Sequence, residues 1–186
     1  MSESQLGKRD TVRRSEAGAS VVVRVARPEE YPQIAELSVE AYRDSGQFSE
    51  HYAPFLADVR GRAEHGTVLT AVDEHTGAVL GSTTFVLPGT PLAEVSAEGE
   101  AEFRTLAVAP EAQGRGAGEA LVRACLERAA GLGCRAVVIC TRDIAIPAQR
   151  LYQRLGFRRT PERDWAPVPG ITLLALRREL PVDARL

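Results

Sequence analysis

The stretch "EFRTLAVAPEAQGRGAGEALVRACLERA", residues 102–129, changes character twice along its length. It begins as an apolar run typical of a β-strand, which we predict over 101–108. It ends as a helix that continues to about Leu132, because its apolar residues recur at the spacing of one buried face: Leu121, Val122, Cys125, Leu126 and Ala129. Between strand and helix lies a run of alternating glycines: Gly114, Arg115, Gly116, Ala117 and Gly118.

The alternating glycines predict a binding site for a pyrophosphate. Backbone N–H groups at the start of a helix have no partner within the helix, and the helix dipole places about half a positive charge there. A glycine-rich entry lets a phosphate approach those donors, and Gln113 and Arg115 add side-chain donors. The alternative is a flexible loop, but an exposed loop does not require three alternating glycines at a helix start.

Two common glycine motifs are excluded by the residues that follow. A P-loop needs Gly-Lys-Ser/Thr, and no Lys or Ser/Thr follows the glycines here. The dinucleotide fingerprint needs Gly or Ala at position 119 or 121, where the chain has Glu119 and Leu121. A third pattern, Gln/Arg-x-x-Gly-x-Gly/Ala, is matched by Gln113, Gly116 and Gly118.

The remaining elements predict a mixed α/β sheet with helices on both faces. Strand 101–108, the following helix and the apolar strand 136–140 form a βαβ unit, so these two strands should be parallel. The other predicted elements are a strand at 21–27, helices at about 28–44, 49–64 and 146–155, a hairpin over 67–87, and strands at 157–160 and 171–180. Loops are expected at 88–100 and 161–170.

Composition sets the class of protein. The 186 residues are 44% hydrophobic and 26% charged, with a net charge of −2, as in a soluble globular protein. We expect a disordered tail at 1–19 and one domain over 20–186. The charge balance and the lack of a long apolar run argue against nucleic-acid and membrane partners. Three cysteines without ligand-like spacing predict no metal site and a cytoplasmic protein, and the three histidines are expected to be surface residues.

A second motif joins the first. "AQRLYQRLGFRR", residues 148–159, contains Leu151, Tyr152, Gly156 and Phe157. With both motifs in order around a βαβ unit, the sequence resembles the general-control-related N-acetyltransferase (GNAT) superfamily over about residues 20–180. The resemblance implies the GNAT fold: a mostly antiparallel sheet of about seven strands around a central parallel pair.

The same resemblance implies how acetyl-CoA is held. Strand 101–108 should carry a bulge and splay from strand 136–140, so that the pantetheine arm pairs with backbone of Leu106, Ala107 and Val108. The pyrophosphate should lie on Gln113, Gly114, Arg115, Gly116, Ala117 and Gly118. Arg115, Arg123 and Arg128 are either partners of the 3′-phosphate end or solvated helix residues. Many members carry Asn where this chain has Ala145, and Arg150 could supply the missing contact.

Two catalytic residues follow from the resemblance. Tyr152 is the candidate general acid that protonates the departing sulfur, with core packing as the alternative. Glu102 is the candidate base, acting through water or with a raised pKa. Alternatively, Glu102 pairs with Arg104, two residues along the same strand face.

The predicted function is an acetyl-CoA-dependent N-acetyltransferase that transfers the acetyl group directly to an amine in a ternary complex. No Cys-His nucleophile is evident. The alternative is a non-catalytic acyl-CoA-binding or sensor module of the same fold. The acceptor is a small-molecule amine or a peptide N-terminus, and a homodimer is compatible with the fold. Glu94, Glu98 and Glu100 either attract a cationic amine or are solvated, and Trp165 is expected to fill the core near the last strand.

Overall fold

A computed structural model describes residues 20–181 of the chain. The expected disordered tail, residues 1–19, lies outside this range. The helices are α1 (Tyr31–Asp44), α2 (Ala53–Ala57), α3 (Val59–His65), α4 (Ala117–Gly131) and α5 (Ile146–Arg154). The strands are β1 (Val21–Val25), β2 (Thr67–Asp73), β3 (Val79–Val86), β4 (Glu100–Val108), β5 (Ala136–Arg142), β6 (Arg158–Arg159), β7 (Trp165–Val168) and β8 (Ile171–Glu179).

The strands form one mixed sheet in the order β1-β2-β3-β4-β5-β8-β6, with β7 paired to β8. The pair β4–β5 is parallel and the remaining pairs are antiparallel. The predicted mixed sheet with a central parallel pair is therefore confirmed. The eighth strand is β7, in a segment that was expected to be a loop. It carries Pro167 and lies mostly exposed against one neighbour, so it lacks the alternating apolar pattern of a strand with a buried face.

Helices cover both faces of the sheet, as predicted. On β3, the Phe85 ring contacts Arg128 of α4, and the Thr84 hydroxyl accepts a hydrogen bond from Arg62 of α3. Successive side chains of a strand point to opposite faces, so α3 and α4 lie on opposite sides. The predicted apolar face of α4 is buried throughout, and β5 begins with fully buried residues over 136–139.

Two further local predictions are wrong. The helix expected over 49–64 is divided at Asp58, which leaves helical geometry and caps α3 by accepting a hydrogen bond from the Gly61 N–H at 2.9 Å. Trp165 does not fill the core: its side chain is 36% exposed on β7, opposite Leu173. Within residues 20–181, no helix combines the length and the apolar character needed to cross a bilayer.

Candidate active site

Strand β4 carries a bulge beside its parallel partner. The pairing with β3 shifts by one residue between Ser82–Ala107 and Thr84–Arg104. Thr105 lies at this shift with φ of +54°, the one non-glycine residue of the described chain in the left-handed region. A β-branched residue is unfavourable there, so the surrounding structure must hold it.

A buried arginine holds the bulge from one face of the sheet. Arg62 of α3 is 1% exposed. Its Nη1 donates to Thr84 Oγ1 at 2.8 Å and to Thr105 Oγ1 at 2.9 Å, and its Nη2 donates to the Leu56 carbonyl at 2.8 Å. Burial lowers the pKa of Arg62 from its ordinary value. The guanidinium thus ties the α2–α3 segment to the bulge.

The parallel strands separate just before the bulge. Pairing between β4 and β5 covers Glu100–Ala136 to Glu102–Val138, whereas β4 continues to Val108 and β5 to Arg142. The resulting gap opens into a cavity of about 370 Å³, lined by residues 103–106 and 140–142. The predicted bulge and splay are therefore present, and Leu106 lies on the cavity wall. Ala107 and Val108 continue the strand and pair with Ser82 and Gly81 of β3.

Two further walls complete the cavity. One comes from the α1–α2 region and is largely aromatic, with Tyr42, Tyr52 and Phe55, together with Gln47, Ser49 and His51. The other comes from the β7–β8 hairpin and is apolar: Pro167, Val168, Ile171 and Leu173. His51 was expected to be an ordinary surface residue, and the structure places it, exposed, at this cavity.

The glycine loop lies before α4 with exposed backbone. Gly114 and Gly116 have φ of +78° and +82°, which favours glycine at both positions. Among the described residues no side chain caps α4, and the first helical hydrogen bond at this end runs from the Ala120 N–H to the Gly116 carbonyl. The N–H groups of residues 117–119 consequently have no backbone partner within the described chain. This cradle fits a pyrophosphate.

The predicted side-chain donors of the loop are engaged with carboxylates. Arg115 pairs with Asp73, and the Arg115 guanidinium together with the His75 and Thr76 N–H groups lowers the pKa of Asp73 to about 2. Gln113 Nε2 donates to Asp44 Oδ2 at 3.5 Å. A phosphate would have to draw these donors away, so the unpaired backbone groups are the better-prepared part of the cradle.

Charged residues along α4 lead away from the loop. Glu119, in the first turn, accepts from Arg123 at 2.8 Å, so its carboxylate is turned along the helix. Arg128 donates to Thr67 and lies over the Phe85 ring. Of the three arginines considered for the 3′-phosphate end, Arg115 is therefore the one beside the cradle.

Tyr152 lies both in the core and at the cavity wall. Its ring packs against Phe103 and Phe157 at centroid distances of 5.9 and 5.8 Å, so it belongs to the core. It also lines the cavity, and its hydroxyl has no hydrogen bond to another described residue. Burial raises the pKa of Tyr152, so the phenol keeps its proton at neutral pH. A protonated hydroxyl at the cavity can donate.

Glu102 is fully buried, and its oxygens accept the backbone N–H groups of Glu94, Val95 and Ser96 at 3.1–3.3 Å. It is absent from the cavity lining. The suggested Glu102–Arg104 pair is not formed, because Arg104 pairs with Glu94 at 2.6 Å. Glu102 thus fixes the segment that carries Glu94, and this geometry does not favour direct contact with a substrate.

Glu94 is the carboxylate that reaches the cavity. Its pKa is raised by burial, against the opposing effect of Arg104, with a further rise from Glu102. Arg104 is held by the Leu92 carbonyl and stacks on Phe55 at 4.5 Å. The sequence marked the segment 88–100 as acidic but could not single out Glu94. Glu100, from the same acidic set, is bound by Arg163 and Arg177 away from the cavity.

Cys140 also lines the cavity, as a thiol. Burial, with the nearby Glu102, Glu94 and Asp164 carboxylates, raises its pKa to about 12, although the Trp165 indole N–H donates to the sulfur. A thiolate nucleophile is therefore disfavoured. Ala145 is buried and precedes α5, while Arg150 is exposed. Among residues 20–181, no group of three or more His, Cys, Asp or Glu side chains could hold a metal ion.

Comparison with known proteins gives consistent matches. The family model "Acetyltransferase (GNAT) family" matches residues 31–157. An uncharacterized N-acetyltransferase of Schizosaccharomyces pombe is 34% identical over 112 residues, which cover 60% of this chain and 64% of that protein. Mycothiol acetyltransferase of Pseudarthrobacter chlorophenolicus is 47% identical over 58 residues, 31% of this chain and 18% of that protein. The chain thus spans less than two thirds of these relatives.

A solved structure is similar in fold. The acetyltransferase yncA from Salmonella typhimurium, determined with its cofactor acetyl-CoA, aligns with a TM-score of 0.63 at 21% identity. The alignment covers 88% of this chain and 96% of that chain.

Proposed function

Because the chain belongs to the acetyltransferase (GNAT) family, we propose that it transfers the acetyl group of acetyl-CoA directly to an amine. One observation carries the proposal: the gap between β4 and β5 opens into a cavity next to Tyr152, and the uncapped start of α4 follows the same strand. That arrangement offers one place for a thioester and another for a pyrophosphate. The acetyl-CoA bound to the Salmonella protein of this fold supports the choice of donor.

The chain's own groups would divide the chemistry as follows. Bound acetyl-CoA supplies an electrophilic carbonyl carbon and a sulfur leaving group. The backbone of Leu106, Ala107 and Val108 would hold the pantetheine arm, and one N–H there would polarise the carbonyl oxygen. Gln113 to Gly118 and the free amides of α4 would hold the pyrophosphate.

Proton transfers accompany the exchange of bonds. The N–C bond to the acceptor forms as the C–S bond breaks. Tyr152 gives its proton to the sulfur, and a carboxylate takes the proton released by the amine nitrogen. Solvent then returns a proton to Tyr152 and removes the one on the carboxylate. Cys140, a poor thiolate at neutral pH, supports direct transfer over an acetylated protein.

We assign the base to Glu94 and a positioning role to Glu102, which was the candidate from sequence. Glu94 lies at the cavity, whereas the Glu102 carboxylate accepts hydrogen bonds from the backbone N–H groups of residues 94–96. A carboxylate accepts a proton only when ionised, and the pKa of Glu94 is raised. Activity carried by Glu94 should therefore rise with pH through that raised pKa.

The test is release of free CoA thiol from acetyl-CoA with a panel of amines, alongside calorimetric binding of CoA. Glu94→Gln should lower kcat by about 100-fold and remove the acid limb of the pH profile. Glu102→Gln should lower kcat less and keep that limb. The opposite result would return the base to Glu102. If the chain binds CoA but no amine of the panel gives thiol release, the result supports the non-catalytic module instead.

A further inference from the structure

The cavity contains a cation that has no counter-ion among the described residues. Arg142, at the end of β5, is half-buried and lines the cavity. Its Nη1 makes one long hydrogen bond, 3.4 Å, to the Gln47 carbonyl, and its Nε is buried without a partner in the described part of the chain. Within residues 20–181 it forms no ion pair. A half-buried guanidinium group with unused donors is a receptor for an anion.

The other charges of the cavity do not compensate it. Arg104 and Glu94 neutralise one another at 2.6 Å. Arg142 is the remaining charged group, so the carboxylate and guanidinium groups that line the cavity carry a net positive charge. A half-closed cavity of this kind disfavours an acceptor that carries only an ammonium group, because like charges repel more strongly away from bulk water.

The site that Arg142 offers to an anion is separate from the one that would hold the phosphates of acetyl-CoA. None of the residues 113–118 lines this cavity, so the phosphate cradle lies elsewhere. Arg142 and Cys140 are two residues apart on β5, so they share one face of the strand, and both line the cavity. The contact of Arg142 with Gln47 joins it to the segment between α1 and α2, which forms the aromatic wall.

We propose that the acceptor is a primary amine that carries its own carboxylate, an amino acid with an apolar or aromatic side chain, whose carboxylate binds Arg142. This rests on the proposed function. The amine would lie towards Glu94 and β4, and the side chain between Tyr42, Tyr52 and the apolar β7–β8 wall. The carboxylate would satisfy the unused donors of Arg142, as a two-oxygen anion matches a guanidinium fork.

The experiment compares amines that differ only in the carboxylate: L-phenylalanine with 2-phenylethylamine, and L-leucine with 3-methylbutylamine. We expect kcat/KM to be at least about tenfold higher for each amino acid, the size of a lost charge-assisted hydrogen bond. Arg142→Gln should reduce that preference by about tenfold, and Arg142→Lys should restore part of it. Arg158→Gln is the matched control, since Arg158 is exposed on β6.

Calorimetric binding of acetyl-CoA to each variant separates the possible failures. Affinity within about twofold of the unaltered chain shows that Arg142→Gln folds and keeps its donor site. Three results would overturn the inference. The first is that the amines without a carboxylate are used as well as the amino acids or better, and the second is that Arg142→Gln keeps the same preference. The third is that a chain that binds acetyl-CoA turns over neither amino acid. A chain that does not bind acetyl-CoA contradicts the proposed function and this inference together.

Discussion

The donor half and the acceptor half of the proposed active site use different kinds of chemical group. The donor half, residues 104–108 with the loop 113–118 and the start of α4, offers backbone groups from one continuous stretch of chain. The acceptor half, the walls from α1–α2, the segment 88–99, β5 and the β7–β8 hairpin, offers side chains from distant segments. A site made of backbone tolerates plain side chains but requires particular φ values. A site made of side chains depends on tertiary packing.

Tyr152, where the halves meet, gives the largest expected effect. Tyr152→Phe removes the proton that the sulfur would receive and keeps the packing on Phe103 and Phe157. We expect kcat to fall by about 100-fold, with acetyl-CoA affinity and melting temperature unchanged, because the hydroxyl has no hydrogen-bond partner in the described chain. Steady-state kinetics, calorimetry and thermal melts measure these three quantities. Full activity in Tyr152→Phe would leave the ring a core residue only.

Replacing a glycine of the donor half should weaken its binding of acetyl-CoA. Gly116→Val places a β-branched residue at φ of +82° before α4. The strain, of order 1–2 kcal/mol, should weaken acetyl-CoA binding by about tenfold as the loop leaves its conformation. Gly131→Val is the matched control, because Gly131 has open space around its α-carbon and no positive φ. Equal affinities of the two variants would contradict a backbone cradle.

Arg62 links the halves, and its replacement should have the smallest effect on turnover. Lysine keeps the charge but cannot reach Thr84, Thr105 and the Leu56 carbonyl together. We expect Arg62→Lys to lower the free energy of unfolding by about 2 kcal/mol and kcat by less than about tenfold. Urea unfolding and kinetics check this against Arg60→Lys, an exposed neighbour. An unchanged free energy of unfolding would mean that the bulge keeps its conformation without Arg62.

The contrast also explains what could be predicted from sequence. The strand, glycine run and helix of the donor half are contiguous, so turn chemistry and apolar spacing were enough to predict the βαβ unit. The approach of Glu94 to the cavity depends on Glu102 folding the segment 94–96 around its carboxylate. No local pattern encodes that contact, nor the exposure of Trp165 on an edge strand.

Short-range conflicts account for the remaining differences. Asp58 is a weak helix former and a good N-cap, so the segment 49–64 is divided where helical spacing alone predicted continuity. Arg142 is one of many arginines in the sequence, and only tertiary packing leaves it without a carboxylate partner among the described residues.

The central claim is that both halves are filled at once and that the acetyl group passes directly between them. Initial velocities measured while acetyl-CoA and an amine acceptor are varied together test this most directly. The account predicts double-reciprocal lines that intersect, with no acetylated protein by mass spectrometry. Parallel lines, with an acetyl group found on Cys140, would contradict it.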